Sequence, residues 1–346
     1  MNVGLVGCGQ IAEAHLKAWR KVESAKVTAV CDIDEERARE VARRWNVPSR
    51  YTDLETMIRR ENLTYLSICS PPRNHVDAAC SALGAGLNVV VEKPLAVTSK
   101  EVDRLIAVSQ HSTAKLTVIS NFLFKSALTR ARRILASKNE SPLSVEIHFL
   151  KHRDYHPLND ASHWSHKLPG GIFSELLFHP LYIIRSFLGD LDVAGVCLDR
   201  FPSREWMRYE RVVAFLGATE KRASIHASFD SPRYATYVDL YGPKNAIRAD
   251  LGTGDVYLFR DSEKRGASKA WDGIRQATMS LQNMSRLVPD AFSFHLGITD
   301  SSHALNIKSF VEGQPSHGSR ALTLQDAYKL TQIQEDITTR IDQYER

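Results

Sequence analysis

The chain reads as an α/β protein, a doubly wound parallel sheet followed by a strand-rich α+β domain, and three observations lead there. Short β-branched runs alternate with helical patterns through the first third, a glycine-rich turn joins the first strand to the first helix, and from about Asn121 strands separated by short turns take over. At 346 residues the chain also exceeds the roughly 250 residues beyond which a single core rarely grows. Two domains are therefore expected, residues 1–120 and 121–346.

The first strands are expected at Val3–Val6, Val27–Cys31, Tyr65–Cys69 and Asn88–Val91, apolar enough to be buried on both faces. After the first, Ile11, Ala12, His15, Leu16 and Trp19 repeat at helical spacing. Asp34 is placed to cap a helix running toward Trp45, Asn74 one beginning near His75, and Gly86 ends the latter after Ala85. Beyond Asn121 a helix is expected near Ala127–Ala136, a strand at Val145–Phe149 and a helix from Ile172. Strands follow at Val193–Leu198, Val212–Phe215, Ala223–Ser228, Thr236–Tyr241, Ala246–Asp250 and Val256–Phe259, and their short connections favour antiparallel pairing. Asp261–Ser268 reads as a polar loop or linker. Thr323-Leu324-Gln325-Asp326 resembles a capping box, with aspartate in place of Glu or Gln, that opens a final scaffold helix toward Arg346.

Composition narrows the class. With 43% hydrophobic and 25% charged residues and no apolar run of about 18, a membrane span is not expected. The N-terminus lacks a basic n-region and reads as a first strand. Five cysteines without a CxxC pair, mostly in apolar stretches, suit a reducing, cytoplasmic setting. The net charge of +5 rests on 45 basic and 40 acidic residues with no polybasic block, which slightly favours an anionic ligand and does not point to nucleic acid.

Gly7-Cys8-Gly9-Gln10-Ile11-Ala12 is a G-x-G-x-x-A turn between strand and helix. Its glycines, Gly7 and Gly9, permit a tight bend and close approach of a pyrophosphate to the helix start at Gln10 and Ile11. Asp32, at the end of the second strand, is placed to accept hydrogen bonds from ribose hydroxyls. The alternative is a tight βα turn with no ligand. Ile33 follows where an arginine would pair with a 2′-phosphate, so NAD(H) is preferred over NADP(H), with Arg37 the cation able to blur the preference. Two more loops leave strand ends and extend the cofactor crevice. One carries Ser70, Pro71, Asn74 and His75, where plain turn chemistry is the alternative; the other carries Glu92 and Lys93, where a surface salt bridge is.

At Glu92-Lys93-Pro94 the chain resembles the glucose-fructose oxidoreductase, inositol dehydrogenase and MocA-type (Gfo/Idh/MocA) family. The resemblance covers nearly the whole length and also rests on the glycine turn, Asp32 and Gly170-Gly171-Ile172-Phe173-Ser174-Glu175-Leu176-Leu177-Phe178-His179. It implies an N-terminal Rossmann domain, Lys93 near the reacting hydroxyl and nicotinamide, and often a cis peptide before Pro94. It also implies a second domain with an open, mostly antiparallel sheet that binds substrate and makes homodimer or homotetramer contacts. The family motif carries aspartate where this chain has Glu175. An i, i+4 pair shares one helix face, so Glu175 and His179 still point together. Pro180 removes a helix donor beside them and is expected to kink the helix.

The stretch Lys151–Lys167 is dense in histidine and is the candidate specificity loop, with His152 and Trp164 as substrate contacts. Ordinary solvated loop residues, or a tryptophan anchoring a domain interface, are the alternatives. The spacings His152/His156 and His163/His166 suit a zinc ligand pair, but no glutamate or cysteine set completes a sphere and no metal is expected. The chemistry expected is hydride transfer between nicotinamide and a hydroxyl or carbonyl carbon of a sugar, cyclitol or related polyol. His179 would move the hydroxyl proton, Lys93 would stabilise the developing alkoxide, and Glu175 would orient the histidine or share the relay; Lys93, Glu175 and His179 would also touch substrate. The same residues would serve a redox-neutral epimerase, lyase or glycosidase that oxidises one carbon and reduces it back. A cofactor-sensing regulator that kept the fold and lost turnover is the third reading.

Overall fold

The computed structural model describes residues 1–199, 206–207, 209–260, 278–279, 302–315 and 319–344. The chain forms two compact units, Met1–Asn121 with Ser301–Glu335, and Phe122–Asp300 with Asp336–Arg346.

The first unit holds β1 (Asn2–Val6), β2 (Lys26–Cys31), β3 (Ser49–Tyr51), β4 (Tyr65–Ile68), β5 (Asn88–Val91) and β6 (Leu116–Val118). They pair in parallel in the order β3-β2-β1-β4-β5-β6. Val3, Leu5, Val30, Leu66, Ile68 and Val89–Val91 are fully buried, as strands covered on both faces must be. The order reverses direction between β1 and β4, which opens a crevice at the carboxyl ends of these strands. The sequence pattern missed β3 and β6, since three residues are too short to show a period.

Around the sheet run α1 (Gln10–Trp19), α2 (Glu35–Trp45), α3 (Leu54–Arg60), α4 (His75–Gly84) and α5 (Ser99–Ser109). Asp34 caps α2 as expected, accepting from Glu36 N and Arg37 N, and Thr98 with Glu101 forms a full capping box on α5. Asn74 does not cap α4 with its side chain: its backbone is already helical (φ −103°, ψ −5°), so the amide does not turn forward onto the first free N–H groups.

A further helix, α8 (Ser302–Glu312), belongs to this unit, although the sequence expectation put everything after Asn121 in the second domain. Its apolar stripe explains the return. Ala304 and Ile307, flanked by Phe310 and Val311, pack into a cluster with Trp19, Val22, Tyr65 and Ile119. Burying an isoleucine such as Ile307 contributes roughly 2–3 kcal/mol.

In the second unit α6 (Ser126–Lys138) and α7 (Phe173–Leu188) pack on a seven-stranded sheet. Its strands are β7 (Ser144–His152), β8 (Asp192–Asp199), β9 (Arg211–Ala218), β10 (Lys221–Ser231), β11 (Ala235–Tyr241), β12 (Asn245–Asp250) and β13 (Val256–Arg260). The order is β13-β12-β11-β7-β10-β9-β8, antiparallel except for β7 with β10. All the expected strands are present. The parallel pair was not expected, because short turns report only on strands adjacent in sequence. Val145, Ile147 and Phe149 alternate inward with Val212, Ala214 and Leu216.

The last helix, α9 (Leu324–Gln343), opens as expected: Asp326 N donates to Thr323 Oγ1 at 3.1 Å, and Asp326 Oδ2 accepts from Thr323 N at 2.9 Å. The polar stretch Asp261–Ser268 lies outside the described residues. No helix among the described residues is long and apolar enough to cross a membrane.

Candidate active site

The glycine turn is built from both sides. Gly7 sits at φ +90°, and a Cβ there would stand 2.5 Å from Ser70 N and 2.6 Å from the Cys69 carbonyl carbon. The approach of the β1 and β4 loops thus demands a glycine. Gly9 has an ordinary extended backbone (φ −75°, ψ −168°) and is the N-cap of α1 without a side-chain cap bond. A Cβ on it would meet nothing within 4 Å. Open space at a helix N-terminus, free of a competing cap, is what a pyrophosphate requires.

Asp32 is buried beside this turn. Its Oδ2 accepts from Cys8 N at 2.7 Å and its Oδ1 from Asp34 N at 2.9 Å, so the carboxylate both braces the turn and keeps lone pairs for ribose hydroxyls. Burial, and then the Asp32 charge, push the Cys8 thiol up to about 12, and it stays protonated in the turn. Ile33 is 94% exposed, and Arg37 Nε lies 3.2 Å from Asp34 Oδ2. These residues fit the adenosine end of a dinucleotide.

The two crevice loops are tied together by His75, which is fully buried. Its Nδ1 lies 2.8 Å from Pro94 O and its Nε2 2.6 Å from Ser70 O. Burial lowers the pKa of this imidazole and favours its neutral form, which donates to one of the two carbonyls, and the ring lies wedged between the Ser70-Pro71 and Lys93-Pro94 segments. The Lys93–Pro94 peptide is cis.

Glu92 is buried and bonded to His15 Nε2 at 2.8 Å and to the Lys93 backbone N–H at 3.1 Å; His303 Nε2 lies 3.5 Å from its Oε1. Burial alone would raise this carboxyl's pKa, but the hydrogen bonds and charges of His15 and His303 outweigh it and hold the group well below the usual carboxylate range. A depressed folded pKa contributes stability above the unfolded value of about 4.3, and that stability is lost as pH falls through the folded one. Urea melts of Glu92→Gln from pH 5 to 3 are therefore expected to show a shallower acid loss than wild type, by up to about 1.4 kcal/mol per pH unit; equal slopes would contradict the assignment.

In the second unit Glu175 and His179 share α7, with Pro180 inside the helix. His179 is buried and lies nearly parallel to the Phe122 ring (4.4 Å, 19°) and the Phe149 ring (5.7 Å, 11°). Its Nδ1 is 2.7 Å from Tyr182 Oη, and that hydroxyl accepts from Phe122 N at 3.2 Å. The ring is thus held by packing and by the contact of Nδ1 with the Tyr182 hydroxyl. Glu175 Oε2 accepts from Tyr155 Oη at 3.3 Å, and burial together with the Glu175 charge pushes the Tyr155 phenol up, keeping it a donor.

Lys151 Nζ stands over the Tyr155 ring (4.8 Å) and the Phe149 ring (5.2 Å). The expected substrate contacts differ in setting. His152 Nδ1 accepts from Asp154 N at 3.0 Å, within its own turn, while Trp164 is 37% exposed on a 3-10 turn with its ring against His163.

His15, Ser67, Trp19, His303, Tyr182 and Tyr155 were not foreseen in these roles. His15 and Trp19 were legible only as members of the apolar stripe of α1, and a histidine on that stripe was the one available signal. Among the described residues, two groups hold metal-ligand atoms within 4.8 Å of one another, His15 with Glu92 and His303, and Glu146 with His148 and Asp239. The 2.8 Å between His15 and Glu92 is hydrogen-bond spacing, whereas donors 2.0–2.1 Å from a tetrahedral zinc stand about 3.3 Å apart. Both Asp239 oxygens are taken by Arg248, each at 2.7 Å.

Residues 1–120 match the model of the oxidoreductase family with an NAD-binding Rossmann fold, GFO_IDH_MocA. A D-apiose dehydrogenase of Paraburkholderia graminis is 30% identical over 131 residues, 38% of this chain and 35% of that protein, so the match spans about a third of that relative's length. A myo-inositol 2-dehydrogenase of Thermotoga maritima is 26% identical over 270 residues, 76% of this chain and 79% of that one. The WlbA dehydrogenase of Bordetella pertussis, solved with NADH and UDP-GlcNAcA, superposes with a TM-score of 0.77 at 16% identity, covering 99% of this chain and 96% of that one, which speaks to the fold. The glycine turn, Asp32 and Glu92-Lys93-Pro94 all lie inside the matched residues, so it is the first third of the chain that is similar to the NAD-binding Rossmann domain of the GFO_IDH_MocA oxidoreductases.

Proposed function

We propose that this protein is an NAD(H)-dependent oxidoreductase acting on a CH–OH group of a sugar, cyclitol or related polyol. The observation that carries the reading is Gly9, an uncapped helix N-terminus with open space where a side chain would stand, beside the braced Asp32 carboxylate. The relatives' names, a myo-inositol and a D-apiose dehydrogenase, support the substrate class. NAD(H) is preferred over NADP(H): Asp32 would repel a 2′-phosphate, Ile33 offers no charge, and Arg37 is engaged with Asp34. Ser70 and Pro71 would line the cofactor crevice beside Gly7, Gln10 and Ile11, with Asn74, His75 and Glu92 shaping the loops that hold it.

When bound, the nicotinamide accepts or returns the hydride. Lys93 would place an ammonium against the substrate oxygen, favouring the negative charge that grows there. His179 would take the hydroxyl proton in oxidation and return it in reduction, its ring held by Tyr182, Phe122 and Phe149. Glu175, joined to Tyr155, would set the charge around that histidine, and His152 and Trp164 would contact the far side of the substrate. Exposed Phe215, Tyr241 and Phe259 on the sheet support a homo-oligomer, and five free cysteines support a cytoplasmic setting.

The test is nicotinamide absorbance with NAD+ and with NADP+ across myo-inositol, D-apiose, levoglucosan and uronic acids, on a preparation whose mass is read by light scattering. A substrate-dependent rise favouring NAD+ at least tenfold is expected. Tighter binding of NADPH than NADH would overturn the cofactor preference, and solvent deuterium entering a sugar without net absorbance change would replace the dehydrogenase by a redox-neutral enzyme.

A further inference from the structure

Glu92 follows β5 directly, its side chain is 7% exposed, and both carboxylate oxygens are in use. Oε1 takes His15 Nε2 at 2.8 Å from α1 and faces His303 Nε2 at 3.5 Å from α8; Oε2 accepts the backbone N–H of Lys93 at 3.1 Å. His15 is held from its other side, Nδ1 at 2.8 Å from Ser67 Oγ, which in turn accepts from Trp19 Nε1 at 3.0 Å. On the far side of Lys93, Pro94 O is tied to His75. The backbone on either side of the lysine is thereby pinned by buried polar groups, and one of them arrives with a helix some 200 residues later in the chain.

A buried carboxylate is tolerated only when paired and hydrogen-bonded, and the pairing here comes from two separate helices. His303 is 16% exposed at its side chain and tilts against the His15 ring (5.9 Å, 59°). An apolar residue on α8 would fill that place with no charge to satisfy, so the imidazole aimed at Glu92 needs a reason beyond packing.

We propose that His303 is a positioning residue for Lys93: with His15 it grips the Glu92 carboxylate from which the Lys93 amide hangs, and so sets where the lysine amine stands in the cofactor crevice. This rests on the reading of Lys93 as the group beside the nicotinamide.

The test needs no identified substrate. Lys93 acetylation by sulfo-NHS-acetate is followed by peptide mass spectrometry with and without NADH, using exposed Lys26 as the internal standard. At NADH ten times its Kd, wild-type Lys93 is expected to be protected about tenfold. His303→Leu is expected to bind NADH within about threefold of wild type yet to lose most of that protection, and His303→Gln, which keeps a donor, to retain it. Full protection in His303→Leu would overturn the proposal while leaving Lys93 at the cofactor. No protection in wild type would instead remove the underlying reading of Lys93. Should His303→Leu not fold, His303→Asn, whose amide stops short of Glu92, takes its place with the same two outcomes.

Discussion

Lys93→Ala and His179→Asn are each expected to lower turnover by about a hundred- to ten-thousandfold on whichever polyol reduces NAD+. The two losses should be far from additive, since on the proposed roles a proton acceptor and a charge stabiliser would act on one transition state. NADH affinity should stay within about threefold in both, because on the proposed reading uniform cofactor binding would rest on the glycine turn and Asp32. His179 packs against Phe122 and Phe149 and bonds Tyr182, so a thermal melt must accompany the rate measurement. Asparagine retains a polar partner for the Tyr182 hydroxyl and should limit the destabilisation to about 1–3 kcal/mol. If both variants turned over within about threefold of wild type while remaining folded, neither residue would be at the reacting carbon.

The glycine turn yields a prediction in which two neighbouring substitutions separate folding from binding. Gly7→Ala places a Cβ 2.5 Å from Ser70 N at a φ of +90°, and both neighbours are backbone that cannot swing aside. A loss of about 3–5 kcal/mol is expected, and NADH binding should fall with it. Gly9→Ala meets no protein atom within 4 Å and has an ordinary φ of −75°. Its stability in the absence of cofactor should lie within about 0.5 kcal/mol of wild type, whereas NADH affinity should drop about tenfold or more because the methyl enters the pyrophosphate's space. Chemical denaturation and NADH fluorescence titration measure the two separately. A Gly9→Ala protein that bound NADH normally would mean that the cofactor does not approach this turn.

How much of this was legible beforehand follows the range over which each signal acts. The glycine turn, Asp32, the caps at Asp34 and Thr323, and the strand and helix alternation are local: a φ, a cap or a period of two or 3.6 is written within a few residues. The motif residues Lys93, Glu175 and His179 were legible as well, through the resemblance and the i, i+4 spacing on α7. What sequence could not place was the company these residues keep. Nothing near Glu92 announces that His15, 77 positions earlier, donates to it, or that His303 arrives from the far end of the chain. Nor does the stretch around His179 announce Phe122, Phe149 or the Tyr182 hydroxyl that Phe122 N holds in place.

The same divide explains the two fold-level surprises. Strand existence follows from composition and alternation, but the parallel pairing of β7 with β10 depends on a crossover through α7 and two intervening strands. The return of α8 to the first unit depends on which apolar surface its stripe of Ala304 and Ile307 completes. Sequence by itself therefore determined the classes of element, the glycine turn and the motif positions, because each is a short-range pattern. Tertiary structure alone decided how those side chains are held, because burial brings together residues whose separation along the chain carries no signal of their contact.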